Sequence, residues 1–259
     1  MLLLNLPIEQ IYRFFFILVR VASMLAVIPF FESRNVPVLV KSGLAMAVTW
    51  LLLPQVRGLP PSLNTSPLAF CLGLASEVMI GMIIGFMLQL VFVGIQLAGQ
   101  IAGFQMGFAI ANVVDPASSM QIPILSQFLN LFALMIFLSL DIHHYFIKAL
   151  VDGFEIIPFW AARFDGNIFG FLVRTVAKAF VIAVKIGAPV MMALLLTSMA
   201  LGLIAKTVPQ MQIFIVAMPV KIILGLLFLG FSLPFCMNYL RDVFVGLGHM
   251  LQGVLRMMV

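Results

Sequence analysis

Apolar residues run along this chain in blocks longer than a soluble protein uses, and polar positions gather in short stretches between them. A bilayer-spanning helix takes about 20 apolar residues. By that measure the pattern predicts six segments: Phe14 to Phe31, Leu39 to Leu53, Leu68 to about Phe104, Ile124 to Leu140, Ile168 to Ala205, and Ile213 to about Leu240. The third and fifth exceed what one crossing requires. Proline removes a backbone donor and clashes with the preceding turn, so Pro189, Pro219 and Pro234 are expected to kink or break their helices. Turn residues fill the connections Glu32 to Pro37 and Arg57 to Pro67, and the Asn64 to Ser66 cluster offers a cap for the third helix. Asp141 to Gly166 is the most polar stretch, read as a connection that divides the chain into two unequal parts. The tail Arg241 to Val259 mixes charge with Val, Leu and Met, as a helix at an interface or against a partner does.

Composition sharpens this into a class. Of 259 residues, 64% are apolar and 9% charged, whereas a soluble domain carries about a quarter charged residues. The expected fold is an all-α integral membrane protein of long kinked helices and hairpins, which excludes a soluble enzyme, a secreted module and a disordered chain. The net charge of +5 comes from 14 Lys and Arg scattered singly, so no nucleic-acid surface is indicated. Cys71 and Cys236 sit far apart in apolar runs and read as small buried residues rather than a disulfide. The start, Met1 to Pro7, lacks the basic and small-residue features of a removable signal, so the first segment is expected to direct insertion itself. Arg57, Lys148, Arg163, Arg241 and Arg256 fall on one side of the alternating connections, against Arg34, Lys41 and Lys206 on the other, a small bias toward cytoplasmic termini.

A carboxylate at mid-membrane costs several kcal/mol unless neutralised. Glu77, inside the third run, therefore sits near the helix N-terminus where the dipole favours it, faces a wet cavity or polar partner, or serves a proton relay. Arg13 and Arg20 in the first run pose the same question, as do Arg174, Lys178 and Lys185 on one face of the fifth, and Lys221 in the sixth. Gly81 and Gly85, then Gly99, Gly103 and Gly107, recur at intervals of four and make a smooth strip for close helix approach. Gln89, Gln96 and Gln100 share a face beside them, and amides in hydrocarbon need partners, so this helix is expected to be buried in a subunit contact or to line a pore. The apolar segment from Phe108 to Met120, broken at Asp115-Pro116, fits a re-entrant or pore-occluding loop, an ordinary surface loop being the alternative.

Phosphate loops, dinucleotide fingerprints and HExxH pairs are absent from the sequence. Asp141-Ile-His-His144 is the nearest approach to a metal cluster, and it reads as a membrane-interface pair because adjacent histidines point to different faces of a helix. No metal, no cofactor and no catalytic residue is expected. A secondary transporter with its site at broken helices around Pro189 and Pro219 is a rival reading, and it calls for paired inverted repeats.

The ordered set Lys206, Pro209, Gln210, Phe214, Pro219 and Lys221 resembles the signature of the FliR family, the R subunit of the flagellar type III export gate. Arg20, Pro29, Val36-Pro37, Glu77, Gly81, Gly85, the Gln96 to Gly107 stretch and Asp115-Pro116 extend the resemblance over nearly the whole chain. Met211-Gln212 and Ala217 depart mildly from the usual pattern. The injectisome counterpart shares much of this motif, and Lys221 to Gly225 resembles the flagellar continuation better.

The resemblance implies a non-enzymatic pore subunit in the bacterial inner membrane, at the core of the flagellar basal body, passing unfolded flagellar proteins outward. It implies P and Q subunits as partners, together with the B switch subunit and the rest of the export apparatus. It further implies a P-like part at 1–167 joined to a Q-like part at 168–259. The loop 106–120 would be the family's plug, sealed by Phe108, Ile110, Val113 and Val114 with Met106 and Met120 as compliant fillers around Asp115-Pro116.

Overall fold

Backbone polar groups have no water to bond inside a bilayer, so an apolar chain must satisfy them internally, and here it does so as helix. The computed structural model describes residues 8–29, 36–56, 66–108, 124–207 and 213–258, without the side chains of 8 and 213–215. Among the described residues there are seven helices and no strand: α1 Ile8–Val27, α2 Val38–Leu52, α3 Pro67–Met106, α4 Ile124–Ser139, α5 Ile142–Ile156, α6 Gly166–Thr207 and α7 Ile213–Met257. Four of them, α1, α3, α6 and α7, are long and apolar enough to cross a membrane. The count rises to five if α4 and α5, joined at a sharp bend, form one span. The chain is an all-α membrane protein.

Both ends of α3 follow from local sequence. At its start the Ser66 hydroxyl accepts the Ala69 N–H at 3.3 Å with Pro67 at the first helical position, the expected cap. At its end Gly107 takes φ +94, its N–H bonds the Phe104 carbonyl at 3.1 Å, and the Phe108 N–H bonds the Gly103 carbonyl at 3.1 Å. That reciprocal pair is a Schellman cap, which stops the helix where a side chain would be strained.

Four expectations need correction. The first helix starts at Ile8 rather than Phe14, since Glu9, Gln10 and Arg13 are polar residues that its early turns keep at least partly in the open. The stretch taken as a connection contains α5, whose buried Ile142, Phe146, Ala149, Leu150, Gly153 and Phe154 recur at helical spacing beneath its charges. Helix α6 runs through Pro189, and α7 runs through Pro219 and Pro234, so of the kink or break expected at each proline the break does not occur. Each proline forfeits one backbone bond, and the bonds of the adjoining turns carry the helix on. Finally, the sixth segment does not end near Leu240: α7 continues to Met257, and its last turns bury Leu247, Leu251, Val254 and Leu255.

The chain divides into two compact units. One comprises Met1–Leu90, Asp141–Thr175 and Phe244–Val259. Its core is aromatic: Phe16 lies 5.7 Å from Phe70 and 5.9 Å from both Phe159 and Trp160, centroid to centroid. The Trp160 indole occupies the place a side chain at Gly73 would need. The other unit comprises Val91–Leu140 and Val176–Val243. Phe92 and Phe137 meet edge to face at 6.0 Å there, and Ala98, Ala133 and Leu194 are among the buried residues of the same unit.

Candidate functional site

In the first unit the costly charges predicted from sequence prove to be each other's partners. The Arg20 Nε donates to Glu77 Oε2 at 2.6 Å, and both side chains are fully buried. Glu77 lies three turns into α3, too deep for the helix terminus to be its main compensation, and it faces a cation of its own chain rather than water. The guanidinium carbon also stands 3.9 Å from the Phe154 ring centroid, so Arg20 ties α1 to α3 by charge and to α5 by its π face. Arg20 Nη1, Arg20 Nη2 and Glu77 Oε1 are buried without a hydrogen-bond partner among the described residues.

The pair depends on two glycines one turn and two turns further along α3. A methyl group at Gly81 would collide with the Ser23 hydroxyl and the Arg20 carbonyl, and one at Gly85 would meet the Met24 carbonyl at 2.7 Å. Close approach of α1 and α3 is what lets a side chain from each meet in the middle.

The second unit repeats the device. At Gly99 a methyl group would meet the Ser126 backbone, whose hydroxyl donates to the Gln96 carbonyl at 2.8 Å. The Gln96 amide donates to Asn130 Oδ1 at 3.2 Å, so this amide finds its partner on α4. Gly94, which the spacing argument missed because it lies outside the four-residue repeat, is as tight: the Ala179 carbonyl of α6 is 2.6 Å from where its Cβ would be. Gly103 has only ordinary contacts at 3.9 Å, and Gly107 is the cap already described rather than a packing notch. Gln100 is half-buried.

The end of α3 is held by α7. Met106 is fully buried, and its side chain fills the space beside Gly225. The nearest neighbour of Gly107 is the side chain of Met218. Met218 and Gly225 flank Pro219 and Lys221 of the signature, so the motif helix grips Met106 and Gly107, at the start of the predicted loop. Sequence reading missed this because the two glycines lie far apart in the chain, although an isolated Gly225 in an apolar helix is a sign of close approach. Ile110, Val113, Val114, Asp115, Pro116 and Met120 lie outside the described residues, as do Pro209 and Gln210. The backbone of Phe214 belongs to the first turn of α7. Lys206 stands exposed in the last turn of α6, where the helix dipole favours a cation.

Other charges sit at the surface. Arg174, Lys178 and Lys185 are all exposed on α6, and the Lys185 ammonium lies 5.1 Å from the Tyr239 ring centroid. Cys236 is buried as expected but Cys71 is exposed, because it falls on the outward side of the first turns of α3; both are free thiols. His143 and His144 do not diverge as predicted. Their rings approach to 4.2 Å, since long side chains at the first turn of a helix swing together despite the rotation between their Cα atoms.

The chain matches the family described as bacterial export proteins, family 1, over residues 11–247. It is 32% identical over 238 residues to the flagellar biosynthetic protein FliR of Escherichia coli, covering 89% of each chain. With the protein of the same name from Bacillus subtilis it shares 31% over 244 residues, 93% of each chain. With that of Aquifex aeolicus the identity is 27% over 239 residues, covering 90% of this chain and 92% of the relative. A buried Arg20–Glu77 pair, glycine-notched helices and a signature helix gripping the end of α3 are thus features of a chain that belongs to the FliR family of bacterial export proteins.

Proposed function

We propose that this flagellar export-gate subunit is a structural, non-enzymatic part of the pore through which unfolded flagellar proteins leave across the inner membrane. One physical observation carries the reading. Helices α3, α6 and α7 have 40, 42 and 45 residues. At about 1.5 Å per residue each extends about 60–68 Å, roughly twice the hydrocarbon thickness of a bilayer. Lipid tails alone cannot cover so long an apolar surface. Yet the chain itself buries little of α7, whose Ile223, Leu226, Phe231, Phe235 and Met237 are all exposed. The remainder needs neighbouring proteins, and P and Q export-gate subunits are the partners that family membership suggests, with the B switch subunit beside them.

Within that assembly residues 1–167 play the P-like part and 168–259 the Q-like part. The loop 106–120 is the plug. Its first residues are seated by Met218 and Gly225, which suits a segment that must hold one position when the channel is closed.

The test is purification of the tagged chain from membranes of its own host in mild detergent. Co-elution with P-like and Q-like proteins in a particle with a central axis is expected. A monodisperse, stable chain eluting alone would overturn the reading. In a strain lacking the gene, flagellin should stay inside the cell; undiminished flagellin in the medium would overturn it equally.

A further inference from the structure

At the junction before α5, Asp141 occupies the N-cap position but does not cap. An N-cap aspartate normally has extended backbone and accepts from the second or third N–H of its helix. Asp141 instead takes the left-handed conformation, φ 53 and ψ 28, and its side chain makes no capping bond. Only its carbonyl engages the helix, accepting the His144 N–H at 3.0 Å. The carboxylate is left facing two imidazoles: Oδ1 is 3.7 Å from His144 Nδ1 and 3.9 Å from His143 Nε2.

We propose that Asp141, His143 and His144 form a binding site for a first-row divalent cation such as zinc or nickel. The three donor atoms lie within 4.8 Å of one another. These separations are too long for hydrogen bonds, which end near 3.5 Å. The two carboxylate–imidazole separations are close to those of ligands around a shared ion: with metal–ligand distances of about 2.0–2.2 Å, tetrahedral donors stand about 3.3–3.6 Å apart. The widest separation of the three, up to 4.8 Å, has to close. The adjustment needed is small, and all three side chains are partly or largely exposed, so torsions alone can supply it.

Donor type selects the ion. Two imidazoles with one carboxylate suit zinc, nickel, cobalt or copper, whereas calcium and magnesium prefer oxygen alone. Three protein ligands leave at least one position for water or for a donor from a neighbouring chain.

The experiment uses the full chain in detergent, purified without a polyhistidine tag and titrated with zinc in competition with a chromogenic chelator. One equivalent is expected to bind at micromolar concentration or tighter. Asp141→Asn keeps a residue that tolerates the left-handed backbone while removing the charge, and it should weaken binding at least tenfold, as should His144→Ala. Cys71→Ser should leave binding unchanged. Failure to take up zinc, equal affinity in Asp141→Asn and His144→Ala, or loss in Cys71→Ser would each overturn the site. Cobalt added to the unaltered chain gives a readout independent of any variant: nitrogen and oxygen ligation is expected, and a thiolate charge-transfer band would place the ion elsewhere.

Discussion

Arg20 and Glu77, 57 positions apart in the chain, meet at 2.6 Å with neither side chain touching solvent. A buried pair of this kind gains little over an apolar substitute of the same shape, because desolvation offsets most of the attraction, but losing one member strands the other. Glu77→Ala and Arg20→Ala are each expected to destabilise the chain by about 3–5 kcal/mol. The double change Arg20→Met with Glu77→Leu should recover most of that loss. Thermal unfolding in detergent reads both; a double variant as unstable as the singles would show that the charges themselves are needed.

Glycine substitutions should sort by what stands opposite. Gly81→Val drives carbon into the Arg20 carbonyl and the Ser23 hydroxyl, and a backbone atom cannot step aside. The expected loss is about 1–3 kcal/mol with weakened α1–α3 packing. Gly43 in α2 has nothing within 4 Å of its would-be Cβ. There Gly43→Ala should leave stability unchanged or raise it by up to about 1 kcal/mol, the ordinary gain in helix propensity. Melting temperatures of the two variants side by side decide the point.

The cap at Gly107 makes a separate prediction. With φ at +94, Gly107→Ala places a Cβ in a conformation that costs about 1–2 kcal/mol. Gly107→Asn should lose less, since asparagine tolerates positive φ better. Limited proteolysis is the readout: cleavage between residues 106 and 124 should accelerate in the order glycine, asparagine, alanine.

Shortening the loop tests closure directly. Removal of residues 109–120 should raise ion conductance across the membrane while the complex still assembles. Unchanged conductance in an assembled complex would assign the seal to other residues.

Legibility from sequence followed the range of the interactions. Helix α3 was readable over nearly its full length, together with its Ser66 cap and the notches at Gly81, Gly85 and Gly99, because apolar runs, caps and four-residue spacings are local signals. Arg20 and Glu77 were each marked as charges that lipid would reject, but nothing within a helix says which distant residue answers which. The grip of Met218 and Gly225 on Met106 and Gly107 is long-range in the same way. Helix α5 was missed for another reason: Lys148, Asp152 and Glu155 lower its average hydropathy, and only the spacing of Phe146, Leu150 and Phe154 betrays the buried face. That the prolines leave their helices unbroken was not legible, because local chemistry forecasts a lost bond, while continuity of the helix depends on the turns around it.

The bare flank of α7 bears on how the molecule must be made. Phe228, Phe231 and Phe235 all look outward from it. Where partner subunits cover that flank, as proposed above, a freshly inserted copy without them leaves those rings open to unproductive association, so its accumulation should depend on co-synthesis of the subunits that pack there.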